Sequence, residues 1–217
     1  MSTNPIPLVH GFYYHIFNRG NNHENIFPQQ RNYTYFMELW WKHTFLIADT
    51  LAFGLLRNHF HAAVFIKYKE DLSGLRETVA DSRHSPRKRS NEDETDEDLT
   101  GLKPPSQYFS NFFNAYSRGV NNAIGRSGAL FERPFERRLI TDEAYLMRLI
   151  VYIHQNPQKH KFVDDFRDWP YTSYTELLGT KETRLKREKV LELFGGRDGL
   201  VRYHQEIQPQ VDLEDND

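Results

Sequence analysis

Two periods of hydrophobic and polar positions alternate along the chain, and the switches between them mark its elements. Residues 9–19, Val-His-Gly-Phe-Tyr-Tyr-His-Ile-Phe-Asn-Arg, are rich in aromatic and branched side chains and run into Gly20-Asn21-Asn22, which predicts a strand and a turn. Tyr33, Phe36, Met37, Trp40 and Trp41 then recur at the spacing of an amphipathic helix over residues 29–45. Residues 46–56 read as a second strand, Arg57-Asn58 as a tight turn, and residues 59–67 as a third strand. Leu72 and Leu75 carry a short helix over 71–81. Phe109, Phe112, Phe113 and Tyr116 carry a longer one from 106 towards Ile124, followed by the turn Gly125-Arg126-Ser127-Gly128. A fourth strand falls within 129–140. Thr141-Asp142-Glu143 then opens a helix with Thr141 as the expected N-cap, and Pro157 is expected to end it. A C-terminal helix is expected over 181–194.

The order strand, helix, two strands, helix, strand is that of an α+β, ferredoxin-like split β-α-β sandwich. It implies an antiparallel sheet with helices on one face, plus a C-terminal helical extension. The first and third strands are then central neighbours. Residues 1–180 form the expected domain, and 181–217 a C-terminal helix with an acidic tail.

Composition changes this picture at one place. Residues 82–105 are basic first (Arg83, Arg87, Lys88, Arg89), then acidic, then Pro104-Pro105, with almost no apolar side chain, and are expected to be a disordered insertion. The formal net charge of −2 argues against a nucleic-acid binder only until its sources are located. Residues 92–98 and 212–217 together hold ten acidic groups, and the remainder of the chain is basic. With no cysteine among 217 residues, disulfides, thiolate zinc sites and cysteine nucleophiles are excluded, so any metal must rest on nitrogen and oxygen. The N-terminal residues lack the basic start and apolar run of a secretory signal, and no stretch has the length of a membrane span. A cytoplasmic protein with no membrane partner is the expectation.

Candidate chemistry begins at Asn58-His59-Phe60-His61. On a strand, His59 and His61 share one face, about 7 Å apart, while Phe60 points into the core behind. Two imidazoles on a stiff inner strand make half of a divalent-metal site. The second cluster is Tyr152-Ile153-His154-Gln155-Asn156-Pro157. Four residues apart on a helix, Tyr152 and Asn156 point the same way, offering a phenolic nucleophile and an amide oxygen as third ligand. A hard divalent ion held by His59, His61 and Asn156 would polarise a phosphate for in-line attack. The residues alone leave a plainer alternative open, with Tyr152 in the core, Asn156 a helix cap and the histidines structural. His154 points some 200° round the helix from Tyr152 and is not taken as a ligand.

Arg57-Asn58-His59-Phe60-His61, followed by Tyr152-x-x-x-Asn156-Pro157, resembles the single-tyrosine HUH transposases (histidine, hydrophobic, histidine), in particular the REP-associated tyrosine transposases. Residues 14–20 and 168–174 fit the same branch. The resemblance implies a tyrosine that attacks a phosphodiester of single-stranded DNA beside a hairpin, leaving a 5′-phosphotyrosine and a free 3′-hydroxyl. It also implies Mg²⁺ or Mn²⁺ bound by both histidines and by the residue four after the tyrosine, and a homodimer in some relatives. Tyr152 is then the catalytic residue, and His59, His61 and Asn156 are the metal ligands. Arg19, Arg57, Arg133, Arg137, Arg138, Lys159 and Lys161 lie beside these blocks as candidate DNA contacts. Phe12, Tyr13 and Tyr14 are candidates for stacking on unpaired bases. Two other functions compete: a non-catalytic nucleic-acid-binding module on the same sheet, and a phosphodiesterase that uses metal-bound water.

Overall fold

A computed structural model describes residues 6–73, 102–132 and 134–207. The expected insertion at 82–105 falls mostly outside the described residues, as do the far part of the expected 71–81 helix and the acidic tail. Four strands, β1 (Tyr13–Arg19), β2 (Ala48–Leu55), β3 (His59–Ile66) and β4 (Glu136–Ile140), form one sheet in the order β2-β3-β1-β4. All three pairings are antiparallel, and β1 and β3 are the inner strands. The expected α+β ferredoxin-like arrangement is thus observed.

Helices α1 (Arg31–Thr44), α2 (Lys69–Ser73), α3 (Pro105–Ile124) and α4 (Glu143–Lys159) are followed by α5 (Tyr174–Leu178), α6 (Arg187–Leu193) and α7 (Arg197–Glu206). Tyr33, Phe36 and Trp40 of α1 are buried, whereas Met37 and Trp41 lie at the border of the core. Phe60 of β3 meets Phe36 of α1 at 5.0 Å between ring centres and Phe113 of α3 at 5.8 Å, so α1 and α3 cover one face of the sheet.

The expected single helical face needs correction. Residue 61 is the neighbour of residue 60 and points the opposite way, and His61 meets Tyr152 of α4 at 5.4 Å. Helix α4 therefore covers the other face, and β3 is buried at every position. Its seat is lined by small residues: Ala63 of β3, with Ala52 and Gly54 paired beside it on β2.

Both ends of α4 also differ from expectation. Asp142 is the N-cap, its carboxylate accepting from the Tyr145 N–H at 2.7 Å, while the Thr141 hydroxyl donates to Asp142. An aspartate also complements the positive helix end, which favours it over threonine. Pro157 lies inside the helix, which runs on to Lys159. A proline loses only its own bond to the carbonyl four residues back, and later N–H groups continue the ladder: His160 N–H donates to Asn156 O at 3.0 Å.

The C-terminal segment is two helices, α6 and α7, in place of one. Leu185, Val190, Leu191 and Leu200 join the main core. Its attachment to α4 is polar: His154 Nδ1 lies 2.8 Å from His204 Nε2, and His154 Nε2 lies 2.8 Å from Ser173 Oγ. His204 Nδ1–H donates to Leu200 O at 2.8 Å, which fixes the direction of every proton in this buried row.

Candidate functional site

Strand pairing brings three imidazoles together on the α4 face. His59 and His61 lie two apart on β3, and His15 of β1 sits beside His61, with its Nε2 3.0 Å from His61 Nδ1. Helix α4 lays Tyr152 against His61, the rings edge-on at 76°, and Asn156 against His59. Tyr152 is 1 % exposed and Asn156 wholly buried. One turn on, His160 stands 4.9 Å from the His59 ring.

Tautomers follow from the partners. His59 Nδ1–H donates to Asn58 Oδ1 at 2.8 Å, which leaves the lone pair on Nε2, and that atom lies 3.1 Å from Asn156 Oδ1. His59 Nε2 thus faces the Asn156 side-chain amide, whose Nδ2 is buried with no hydrogen-bond partner. A divalent cation bound by His59 Nε2 and the Asn156 amide oxygen would occupy the space between them. The donor set of two imidazoles and an amide oxygen therefore fits a borderline-to-hard divalent ion. Among the described residues no group of three or more His, Cys, Asp or Glu side chains is arranged to hold a metal.

Burial keeps His15 and His61 neutral, and a metal-ligating imidazole must be neutral. His15 is pushed down to about 3, by desolvation first and by Arg138 second. His61 is held well below its ordinary value by desolvation, then by His15, His59, His160 and Arg138. Arg138 pairs with His15 across β1 and β4 and lies over the Phe17 ring, on the candidate-site face.

The other expected contacts divide. Lys159 stands with its ammonium 5.3 Å from the centre of the Tyr152 ring. Arg57 lies over Phe162 in the β2–β3 turn region, and Arg19 at the end of β1 pairs with Glu132 at 2.9 Å. Arg137 pairs with Ile16, points to the α1/α3 face and packs over Phe135, so the sheet separates it from the site. Arg133 lies outside the described residues. Tyr14 is a core residue, its hydroxyl donating to Pro7 O at 3.2 Å, and Tyr13 packs on Phe65; of the three expected stacking residues only Phe12 is exposed. Sequence reasoning overlooked His15 and His160. Alternation along β1 and the four-residue step Tyr152, Asn156, His160 along α4 were the available signals.

Fold and grouping together define a ferredoxin-like protein with a His-x-His pair on an inner strand and a tyrosine-bearing helix laid across it. No protein-family model matches the chain. A Haemophilus influenzae protein provisionally named a REP-associated tyrosine transposase is 39 % identical over 49 residues. That match spans 23 % of this chain and 28 % of that relative's length. The solved structure of a REP-associated tyrosine transposase bound to a REP hairpin has a similar fold, with a TM-score of 0.56 at 15 % identity, over 81 % of this chain and 84 % of that one. A short stretch of sequence and, separately, the overall fold are thus each similar to a REP-associated tyrosine transposase. Among the described residues no helix is long and apolar enough to cross a membrane.

Proposed function

We propose that the chain nicks and rejoins single-stranded DNA beside a hairpin of the REP kind, with Tyr152 as nucleophile. The observation that carries this reading is the convergence of Tyr152, Asn156, His59 and His61 from two elements about ninety residues apart. The Tyr152 oxygen attacks phosphorus, the phosphorus–O3′ bond breaks, and the released 3′-oxygen takes up a proton as the phenol loses one. The product is a 5′-phosphotyrosine with a free 3′-hydroxyl, and the reverse attack rejoins strands without a nucleotide cofactor. The Lys159 ammonium stands 5.3 Å from the centre of the Tyr152 ring, close enough to approach the phosphate that the phenol attacks. His59, His61 and Asn156 would hold Mg²⁺ or Mn²⁺, and His15 and Asn58 orient the two imidazoles. When bound, that ion supplies charge to the phosphate oxygens.

All four groups come from one chain, which supports a site complete in a single copy. Tyr152 is buried, so entry of the strand requires this face to open. The same burial favours a second reading, in which Tyr152 is structural and a metal-bound water cleaves the phosphodiester. A hairpin-bearing single strand incubated with Mn²⁺ and run on a denaturing gel separates the two. A covalent adduct mapping to Tyr152 is expected; cleavage without adduct would replace transesterification by hydrolysis.

A further inference from the structure

A row of rings leads outward from the candidate site. His160 beside His59 is followed by Phe162, whose ring lies 6.2 Å away at 24°, and Trp169 stacks on Phe162 at 5.6 Å and 25°. Arg57 sets its guanidinium 5.4 Å from the centre of the Phe162 ring. Phe162 and Trp169 are partly exposed, and Arg57 and Lys161 are exposed. The expected use of Phe12, Tyr13 and Tyr14 as stacking residues does not account for this row.

The backbone holds the row in place at some expense. Lys161 has φ 57°, the left-handed conformation that usually falls to glycine after a helix, and its Cβ makes that conformation unfavourable. Lys161 N–H donates to Gln158 O and Phe162 N–H to Pro157 O, so the chain folds back over the end of α4 and returns Phe162 onto Trp169. Trp169 is fixed in turn by its indole N–H, which donates to Leu55 O at 2.9 Å. Of the acids in the same loop, Asp165 is paired with Arg167.

We infer that Arg57, Phe162 and Trp169 form a stacking platform for the unpaired nucleotides next to the scissile phosphate, with Lys161 beside it for their phosphates. The inference rests on the DNA-nicking reading above and names where its single strand lies. Planar faces suit bases, and a guanidinium plane over a ring extends the stack while adding charge. The row starts at His59, so a strand held there runs directly into the proposed metal site.

The test compares a hairpin oligonucleotide carrying a four-nucleotide unpaired flank with the same hairpin carrying an abasic flank, by fluorescence anisotropy in EDTA. Flanks on the 5′ and the 3′ side are measured separately. On one side the wild type should bind the natural flank at least about tenfold more tightly than the abasic one. Phe162→Leu, which keeps apolar bulk, and Arg57→Lys, which keeps charge but not the plane, should each narrow that gap to about twofold, with melting temperatures near wild type. No gap in the wild type, or a gap unchanged in both variants, overturns the platform. An equal loss on natural and abasic flanks does so too, since it indicates a phosphate contact alone. If the wild type binds neither oligonucleotide, the DNA-nicking reading itself fails; adduct formation with an unaltered gap removes only the platform.

Discussion

Gly54 of β2 approaches Ile153 of α4 so closely that a Cβ on the glycine would stand 2.6 Å from the Ile153 carbonyl oxygen. That carbonyl is the one Pro157, lacking an N–H, cannot bond within the helix. The approach seats α4 at the residue next to Tyr152 and about one turn before Asn156. Gly54→Ala should therefore lower stability by about 1–3 kcal/mol, seen as a fall of several degrees in Tm. Gly119→Ala is the contrast: its nearest atom is the Tyr35 hydroxyl, the far end of a movable side chain, and alanine suits a helix interior better. Equal losses in the two variants would refute the claim that the seat of α4 is the constraint.

The 3.1 Å separation of His59 Nε2 and Asn156 Oδ1 carries a prediction about metal. At about 100 times its dissociation constant, Mn²⁺ should stabilise the wild type by about 2.7 kcal/mol, raising Tm by roughly 5–10 °C. His59→Ala and Asn156→Ala should each remove most of that rise in a DNA-free thermal melt. An undiminished shift in both would place the ion elsewhere.

Tyr152→Phe deletes one hydroxyl from a ring packed beside His61 and Lys159. Its melting temperature should stay within a few degrees of wild type, while covalent capture of a hairpin strand falls by at least about 10⁴-fold. A denaturing gel reads the second quantity directly. Persistent adduct in the variant would assign the nucleophile to another residue.

Buried imidazoles set a direction for stability against pH. His15 titrates at about 3 and His204 at about 4 in the folded protein, and His61 and His154 are also pushed well down, in each case by desolvation above all. All four lie below the unfolded value of about 6.5, so beneath that pH the unfolded chain binds protons that the native protein does not. Their contribution is intact above about pH 6.5 and declines as pH falls, until His204 protonates near 4 and His15 near 3 in the native state. Each group adds a slope of up to about 1.4 kcal/mol per pH unit. Urea unfolding between pH 7.5 and 4.5 should show steadily falling stability, shallower in His204→Gln; constant stability across that range would contradict neutral burial.

Local pattern was enough for the β-α-β-β-α-β order, because periods of two and of three to four are written in the positions of Phe60, Val64, Phe36 and Phe112 themselves. It was also enough to put His59 and His61 on one face and Tyr152 and Asn156 on another. It misplaced the N-cap by one residue, since Thr141 and Asp142 both have capping side chains and only the backbone's path decides between them. Pro157 was expected to end a helix that in fact continues, because a proline removes a single hydrogen bond and Gly54 makes room at the carbonyl it leaves.

Residue order dictates the inventory: an alternating sheet, amphipathic helices, a His-x-His pair and a tyrosine four residues before an asparagine, with no thiol to offer another chemistry. Tertiary structure alone decided that α4 crosses the sheet face opposite α1 and α3. It also decided that His15 and His160 join the site, and that Arg138 falls beside it while Arg137 falls behind the sheet. These are relations between segments tens of residues apart, set by strand register and by which small side chains let a helix come close, and no local periodicity encodes them.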